Sequence, residues 1–208
     1  MKLLKLLPLN WLLWLAVRFS RTVMVKKTHQ RRVFKELWQS IWIREGYANK
    51  DEPLPEIEAH YRLFDEYSVD FVLYFLNQPI GTIRLIRENT KVGLPVFNDF
   101  EITGTVQRPV VEATLLTLKP EWRMLRLLPA LMLWRIAYQT AISWETNEVV
   151  MAADQRLFHL MKRMFGFRQI GPSKFYEGSD TVPAAANLKE GKDLLTTKNP
   201  TLLKFFTS

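Results

Sequence analysis

Apolar residues in this chain recur with two different periods, and a period of three to four residues marks the helices. It is clear in Val33–Tyr47, Pro129–Trp144 and Gln155–Phe165, each of which has one apolar face. Asp154 is a favourable N-cap for the last of these segments, and Gly166 is a favourable residue to end it. The pattern therefore predicts three amphipathic helices.

Shorter apolar runs rich in β-branched residues predict the strands. Val69–Leu76 and Ile80–Ile86, joined by Asn77-Gln78-Pro79, predict an antiparallel hairpin. Another strand begins at Val110 and ends before Lys119-Pro120. Three shorter strands are predicted at Asn147–Ala152, Phe167–Ile170 and Lys174–Tyr176. Strands and helices in this order predict an α+β domain with a central mixed sheet.

The N-terminal region combines an apolar run with unbalanced positive charge. Met1–Lys35 contains nine basic residues and no acid. Its apolar run, Leu6–Val17, is too short to span a bilayer, and Ala16-Val17-Arg18 is a poor signal-peptide cleavage site. We expect a helix that either lies on a membrane surface or docks on the protein's own apolar surface.

The pattern divides the chain into three regions. Residues 1–27 form the basic and apolar N-terminal helix, and residues 28–176 form the main domain. Residues 177–208 form a tail whose apolar residues pack back on that domain. Within the main domain, Lys91–Arg108 lacks a clear period and is predicted to be a long loop over a cleft.

Composition excludes several kinds of site. The 208 residues contain no cysteine, which excludes disulfides, thiolate metal sites and a cysteine nucleophile. The three histidines lack the spacing of a metal site, so we expect no metal. The net charge of +8 indicates acidic partners. Nucleic acid ranks low among them, because the basic residues lie beside an apolar run and form no reading motif.

Two charged residues within predicted strands are candidates for chemistry. Glu112 lies in the strand that begins at Val110, and a buried carboxylate needs a cationic partner or a solvated cleft. Alternation places Arg84 on the inward face of its strand, so we expect it to pair with Glu112. A purely structural ion pair explains this arrangement equally well. Asp65 and Asp70 end an acidic segment that either is a solvated face or attracts a substrate ammonium group.

The strand that carries Glu112 leads into a candidate anion site. Arg123 and Arg126 fall where the next helix begins, and the free backbone N–H groups of a helix start also favour an anion. A nucleophile and a phosphate-bearing donor can meet at such a junction.

Val33–Gly171 resembles the GNAT superfamily of N-acyltransferases. It is most similar to the branch that contains acyl-homoserine-lactone synthases and long-chain N-acyl amino acid synthases. The residues that carry the resemblance are Phe34–Trp38, Ile43–Tyr47, Phe64–Asp70, Gly81–Ile86, Val111-Glu112 and Lys119–Arg123. The resemblance implies a mostly antiparallel central sheet flanked by helices, and transfer of an acyl chain from a thioester to an amine.

The resemblance also implies roles for particular residues. Arg84 and Glu112 match positions in or beside the active site, and Asp65 and Asp70 match acids near the acceptor pocket. The segment Arg123–Leu128 lacks the glycines with which related enzymes bind the pyrophosphate of CoA. An acyl carrier protein with its phosphopantetheine thioester is therefore the expected donor, in preference to acyl-CoA, and we expect no bound cofactor.

The expected chemistry is direct aminolysis of the thioester, because no cysteine or Ser-His pair is available for an acyl-enzyme. Glu112 would accept the proton and Arg84 would orient it or bind the acceptor's carboxylate. Backbone N–H groups of Thr114–Leu116 would polarise the carbonyl, and Arg123 and Arg126 would hold the phosphate. Trp38 and Trp42 are candidates for binding the acceptor. A tunnel for a long chain or core packing explains these two tryptophans, Met132 and Trp134 equally well.

The resulting expectation is a cytoplasmic enzyme, peripheral at the inner membrane if its N-terminal helix binds lipid, that joins a fatty acyl chain to an amino acid. Three alternatives remain: an acyl-homoserine-lactone synthase, an acetyl-CoA-dependent N-acetyltransferase, and a non-catalytic lipid-binding module. Thr114-Leu115 stands where autoinducer synthases carry Ser-x-Arg-like residues, which argues against S-adenosylmethionine as the acceptor.

Overall fold

A computed structural model describes residues 8–48, 53–123 and 127–208, and a mixed sheet forms its centre. The strands are β1 (Ser20–Met24), β2 (Ser68–Phe75), β3 (Gln78–Arg87), β4 (Val110–Leu118), β5 (Glu148–Asp154), β6 (Arg168–Gln169), β7 (Lys174–Tyr176) and β8 (Ser179–Asn187). The helices are α1 (Leu9–Phe19), α2 (Thr28–Glu45), α3 (Pro53–Arg62), α4 (Pro95–Asp99), α5 (Pro120–Arg123), α6 (Leu128–Ser143), α7 (Gln155–Phe165), α8 (Leu188–Lys198) and α9 (Pro200–Thr207).

The sheet has the order β1-β2-β3-β4-β5-β8-β6, and β7 also pairs with β8. β4 and β5 are parallel, and the other pairings between described strands are antiparallel. Helices cover both faces, so burial of one face of each helix against the sheet makes the core. The α+β fold with a mixed, mostly antiparallel sheet is confirmed.

Two sets of helices cover the two faces of the sheet. On one face α1, α6, α7, α8 and α9 pack on side chains such as Leu73 and Ile83. On the other face α2 and α3 pack around Phe34 and Val72, and the segment that contains α4 packs around Ile86. The cap prediction for α7 is confirmed, because the Asp154 carboxylate accepts hydrogen bonds from the first turn of that helix.

Three segments differ from the sequence-based expectation. The predicted loop Lys91–Arg108 contains the short helix α4. The N-terminal region contributes β1 to the edge of the sheet in addition to its helix. The predicted tail, residues 177–208, begins inside the sheet, since β8 lies between β5 and the short strands β6 and β7. Its Pro183 and three alanines hid this strand, because proline and alanine are depleted in strands.

Helix α1 docks on the body of the protein. Leu12, Leu13 and Ala16 are buried in the main core, so one face of this helix packs on the protein's own apolar surface, and its contact with a membrane stays a prediction. None of the helices in the described residues has the length and apolar character that crossing a bilayer requires.

Candidate active site

The candidate site is a cleft between two neighbouring strands. β4 and β5 pair only between Val110–Glu112 and Glu148–Val150. Beyond these residues the strands diverge, and a cleft of about 490 Å3 opens between Ala113–Leu118 and Met151–Asp154. The edge of β4 along this cleft is unpaired with β5, so its backbone groups are available to a substrate.

A β-bulge shapes the β4 side of the cleft. The pairing register of β3 with β4 shifts between Thr82 and Arg84, and Leu115 adopts a left-handed φ of 47°. This conformation costs about 1–2 kcal/mol for a residue with a Cβ. Thr82 Oγ1 stabilises it by donating a hydrogen bond to the carbonyl of Leu115 at 2.9 Å. Thr114 and Leu116, two of the predicted donor-binding residues, line the cleft on either side of the bulge.

The walls of the cleft are mainly apolar. Leu133 and Trp134 of α6 face Leu157 and Leu160 of α7 across one end. Aromatic residues of α2 and α3 line the other end, where Trp42 is among them. The cleft can therefore hold an apolar chain at one end and present polar groups to a second molecule at the other.

Glu177 is the acid that sequence reasoning missed. It occupies a two-residue turn between β7 and β8, and both turn residues have positive φ, 47° for Glu177 and 79° for Gly178. Such turns favour Asn, Asp or Gly at the first position, so a glutamate there is unusual. Gly178 is required, because a Cβ at this position would lie 2.8 Å from the carbonyl oxygen of Gly46. The turn thus docks against the end of α2 and places Glu177 on the lining of the cleft.

The environment of Glu177 gives its carboxyl group a pKa of about 7. Burial is the main cause, and the negative charge of Asp99 adds to it, whereas His60 opposes it. A carboxyl group with this pKa exchanges protons readily near neutral pH.

Asp99, from α4, forms a polar cluster beside Glu177. Tyr176 Oη donates a hydrogen bond to Asp99 Oδ2 at 2.7 Å, and His60 Nε2 lies 3.2 Å from the same oxygen. The hydrogen bond with Asp99 raises the pKa of His60 although burial opposes this effect. Burial raises the pKa of Asp99, but His60 and Tyr176 outweigh burial and hold it below its ordinary value. The cluster ties the β7–β8 turn to α3 and α4.

Glu112 is sealed beneath the cleft. Its side chain is among the most buried in the protein, with 1% of the residue exposed, and Oε2 accepts a hydrogen bond from the backbone N–H of Val96 at 2.9 Å. Burial raises its pKa to about 8, so it is mainly protonated at neutral pH. The geometry therefore does not support the predicted role of Glu112 as the base, since it does not reach the cleft.

The predicted pairing of Arg84 with Glu112 is wrong. Arg84 lies opposite Asp70 in the hairpin and opposite Thr114 across β4, whereas Glu112 lies opposite Ile86. The Arg84 guanidinium donates to Asp70 from Nε at 2.6 Å and from a terminal nitrogen at 2.9 Å.

The two predicted acceptor-binding acids both pair with Arg84. Arg84 also lies 3.0 Å from Asp65 Oδ1 and donates to the carbonyl of Tyr61 at 2.9 Å. Arg31 lies 3.8 Å from Asp65, so two arginines balance the two acids, and neither acid lines the cleft between β4 and β5. Both acids line a second cleft of about 380 Å3 together with Arg84 and Trp38, so their predicted place near the acceptor stays a prediction.

The remaining predicted residues have mixed positions. Trp42 lines the cleft, whereas Trp38 is 3% exposed and belongs to the core beneath α2. Arg126 lies outside the described residues, as does the side chain of Arg123, and their predicted contact with the phosphate stays a prediction. In the described part of the chain, no group of acids and histidines is arranged to hold a metal ion.

The mixed sheet, with its divergent strands β4 and β5 and the cleft between them, has the GNAT fold. Residues 22–187 match the family model for the N-acyl amino acid synthase FeeM. The chain therefore belongs to the FeeM N-acyl amino acid synthase family. A comparison with curated proteins gave no match.

Solved structures with the same fold include FeeM itself, an N-acyl amino acid synthase from uncultured soil microbes. It shares 15% identity with this chain at a TM-score of 0.64, over 84% of this chain and 93% of that one. An acyl-CoA N-acyltransferase from Pseudomonas aeruginosa has 13% identity and a TM-score of 0.56, over 80% and 99% of the two chains. A spermidine N-acetyltransferase from Vibrio cholerae, solved with CoA and spermine, has 14% identity and a TM-score of 0.55, over 84% and 98%.

Proposed function

We propose that this N-acyltransferase moves a fatty acyl chain from the thioester of an acyl carrier protein to the amine of an amino acid, and that Glu177 is its general base. The main support for this proposal is that Glu177, whose carboxyl group has a pKa of about 7, lines a mainly apolar cleft. Glu112 was the base expected from the sequence, and Glu177 replaces it because only Glu177 reaches the cleft.

The residues around the cleft account for each proton in the reaction. The ammonium group of the acceptor first loses one proton to solvent, and the neutral amine nitrogen then adds to the thioester carbonyl and forms the C–N bond. Glu177 takes the second proton that the nitrogen loses. Backbone N–H groups of β4 near the Leu115 bulge face the developing oxyanion. The C–S bond then breaks, and Tyr61 supplies the proton that the leaving sulfur gains. Proton transfer from Glu177 back to Tyr61 restores the enzyme.

Tyr61 is suited to act as the acid. Its side chain lines the cleft, and its hydroxyl oxygen accepts a hydrogen bond from Thr114 Oγ1 at 3.1 Å. Its own proton therefore stays available. Burial raises the pKa of Tyr61 well above its ordinary value, so the hydroxyl gives up its proton to the sulfur only as protonated Glu177 replaces it. The net transfer runs downhill, from a carboxyl group with a pKa of about 7 to a thiolate.

Two features support a carrier-protein donor with a long chain. The absence of glycine from Arg123–Leu128 removes the close backbone approach that a pyrophosphate needs, so a single phosphodiester is favoured. The apolar end of the cleft, between Leu133 and Leu157, suits an acyl chain.

The proposal is tested by offering the purified enzyme different donors and acceptors. Long-chain acyl carrier protein, long-chain acyl-CoA and acetyl-CoA are each incubated with single amino acids, and products are identified by mass spectrometry. We expect an acylated amino acid from the long-chain carrier protein. Preferential use of acetyl-CoA would overturn the choice of donor, and a homoserine lactone formed from added S-adenosylmethionine would overturn the choice of acceptor.

Glu177→Gln is the variant that tests the base. We expect its kcat/KM to fall by about 10²–10⁴-fold, the usual contribution of a positioned base. Because the ionised carboxylate accepts the proton, wild-type kcat/KM should fall as pH drops below about 7, and the variant should lose this dependence. Glu145→Gln is the matched control, since Glu145 is an exposed glutamate with a φ of 55° outside the cleft. Equal activity of the two variants would remove Glu177 from the mechanism.

A further inference from the structure

The outward face of α1 carries two exposed tryptophans. Trp11 and Trp14 are 57% and 56% exposed, and their rings contact each other with centroids 6.2 Å apart. Together with Arg18 they are spaced i, i+3 and i+7, which places them on one side of the helix. Burial of the opposite side in the core fixes the direction in which these rings point.

The apolar surface continues onto the turn between β2 and β3. The backbone N–H of Leu76, in this turn, donates to the carbonyl of Phe19 at 3.0 Å. Leu76 is 61% exposed, and Val17 and Phe19 are each 45% exposed. We call these five residues, Trp11, Trp14, Val17, Phe19 and Leu76, the α1–turn surface.

Leu76 occupies a conformation that its side chain does not favour. Leu76 and Asn77 have φ of 47° and 67°, as in a two-residue hairpin turn that normally selects Asn, Asp or Gly. Packing within the protein does not offset this backbone strain, because most of the leucine side chain faces solvent. An apolar residue held at a turn tip against its backbone preference points to an apolar partner outside the chain.

Basic residues without a carboxylate partner lie beside the α1–turn surface. In the described residues, no carboxylate pairs with Arg18, Arg21, Lys26 or Lys27. The basic residues of α2 do have carboxylate partners: Arg31 pairs with Asp65, Arg32 with Glu36 and Lys35 with Glu58. Of the four without such a partner, Arg18 and Arg21 flank Phe19 in the chain, whereas Lys26 and Lys27 follow the other end of β1.

This surface is separate from the catalytic cleft. None of its five residues lines the cleft, and α1 precedes the residues that match the family model, which are 22–187. Its exposed aromatic residues are thus not explained by acyl transfer.

We propose that the α1–turn surface docks this enzyme on an anionic lipid bilayer. Tryptophan rings are well suited to the boundary between headgroups and acyl chains, where one edge is polar and the other apolar. Leu76 and Phe19 enter the apolar layer beside them, and Arg18 and Arg21 lie near the lipid phosphates.

The charges favour a bilayer over a second copy of the chain as the partner. A symmetric dimer through the α1–turn surface would bring the unpaired cations of both copies together. Like charges at an interface are unfavourable, whereas an anionic headgroup layer complements them.

The test measures binding of the full-length protein to vesicles by sedimentation. Vesicles of phosphatidylglycerol and phosphatidylcholine are compared with vesicles of phosphatidylcholine alone. We expect stronger binding to the anionic vesicles, which weakens as salt is raised, and a blue shift of tryptophan fluorescence on binding.

Two variants locate the contact. We expect Trp11→Ser combined with Trp14→Ser to weaken binding about tenfold or more, because both side chains are exposed and lose apolar contact with lipid. Leu76→Asn should also weaken binding while it keeps or raises the melting temperature, since asparagine favours the left-handed turn. Phe175→Ser is the control, because Phe175 is 75% exposed and lies in β7 at the other end of the sheet.

Several outcomes would overturn the proposal. One is equal binding to both kinds of vesicle, and another is the same loss of binding in the Phe175→Ser control. A third is a dimer in solution that the Trp11→Ser, Trp14→Ser variant dissociates, without any binding of the wild type to vesicles. Acyl transfer by the soluble enzyme is measured in parallel, so failure to bind lipid is distinguishable from failure of the proposed reaction.

Discussion

The burial of Glu112 has a consequence for stability. Its pKa is about 8 in the folded protein and near 4.5 when unfolded, so between these values the folded state holds a proton that the unfolded state has lost. The contribution of Glu112 to the free energy of unfolding is therefore fully present at acid pH. It is lost as pH rises towards 8, by up to about 1.4 kcal/mol per pH unit.

Glu112→Gln should remove this dependence. We expect the free energy of unfolding of the variant, measured with urea from pH 5 to pH 8, to fall less steeply than that of the wild type. We also expect acyl transfer to persist, because Glu112 does not line the cleft. Glu190→Gln on the exposed surface of α8 should keep the wild-type slope. Loss of activity without a change in slope would restore Glu112 as a candidate base.

Arg84 should act through stability. Arg84→Ala leaves Asp70, which is 8% exposed, as a buried carboxylate that has lost its bidentate partner. We expect a loss of about 3–5 kcal/mol in the free energy of unfolding, measured with urea. Arg84→Lys should lose less, because it keeps the charge but not the bidentate geometry. Arg32→Ala, which breaks an exposed pair with Glu36, should change little, and an equal loss in that control would contradict the prediction.

The sequence identified the charged residues in these strands but paired two of them wrongly. Alternation correctly placed Arg84 on an inward face. Its partner depends on register, and the predicted turn, Asn77-Gln78-Pro79, was displaced from the turn that forms at Leu76-Asn77. A shift of the turn changes which residue of β2 lies opposite Arg84. The bulge at Leu115 then changes the register between β3 and β4 as well. The period of the apolar residues shows neither the position of the turn nor the bulge.

At the scale of elements, the β7–β8 hairpin controls the position of Glu177. Gly178→Ala would strain a φ of 79° and would also press a Cβ against the carbonyl of Gly46. We expect this variant to displace the turn and lower kcat/KM for acyl transfer. Gly46→Ala is the matched control, since its φ is 80° but a Cβ there has no heavy atom within 4 Å among the described residues. If both variants lose activity equally, backbone strain and not the contact is responsible.

Element prediction succeeded where local chemistry determines the structure. Asp154 and Gly166 bound α7 as expected, because capping depends only on neighbouring residues. The strand β8 was missed because alanine is depleted in strands. Alanine is found in β8 because this strand packs closely between β5 and its other neighbours. Missing β8 also hid Glu177, because a glutamate is unusual at the first position of a hairpin turn and only Gly178 marked this one. The candidate base was thus lost with its strand.

At the scale of the whole molecule, the two halves of the sheet enclose the cleft, and Trp134 closes its apolar end. Trp134 is 6% exposed and lines both the cleft and a second apolar cavity of about 50 Å3 near Ala137 and Phe206. Its ring packs on Phe167 with centroids 5.8 Å apart. Its indole N–H has no hydrogen-bond partner among the described residues, so replacing the ring removes no such bond. Trp134 therefore separates two spaces that a smaller side chain would join.

Trp134→Phe should lengthen the acyl chains that the enzyme transfers. A phenyl ring leaves space between the cleft and the second cavity, at a cost on the order of 1–2 kcal/mol in the free energy of unfolding. Mass spectrometry of products from an equal mixture of donors with different chain lengths should show a shift towards longer chains. Trp144→Phe, a partly buried tryptophan after α6 that does not line the cleft, should keep the wild-type distribution. An unchanged distribution of products from Trp134→Phe would mean that the acyl chain does not end at Trp134, because the substitution enlarges the cleft at that position.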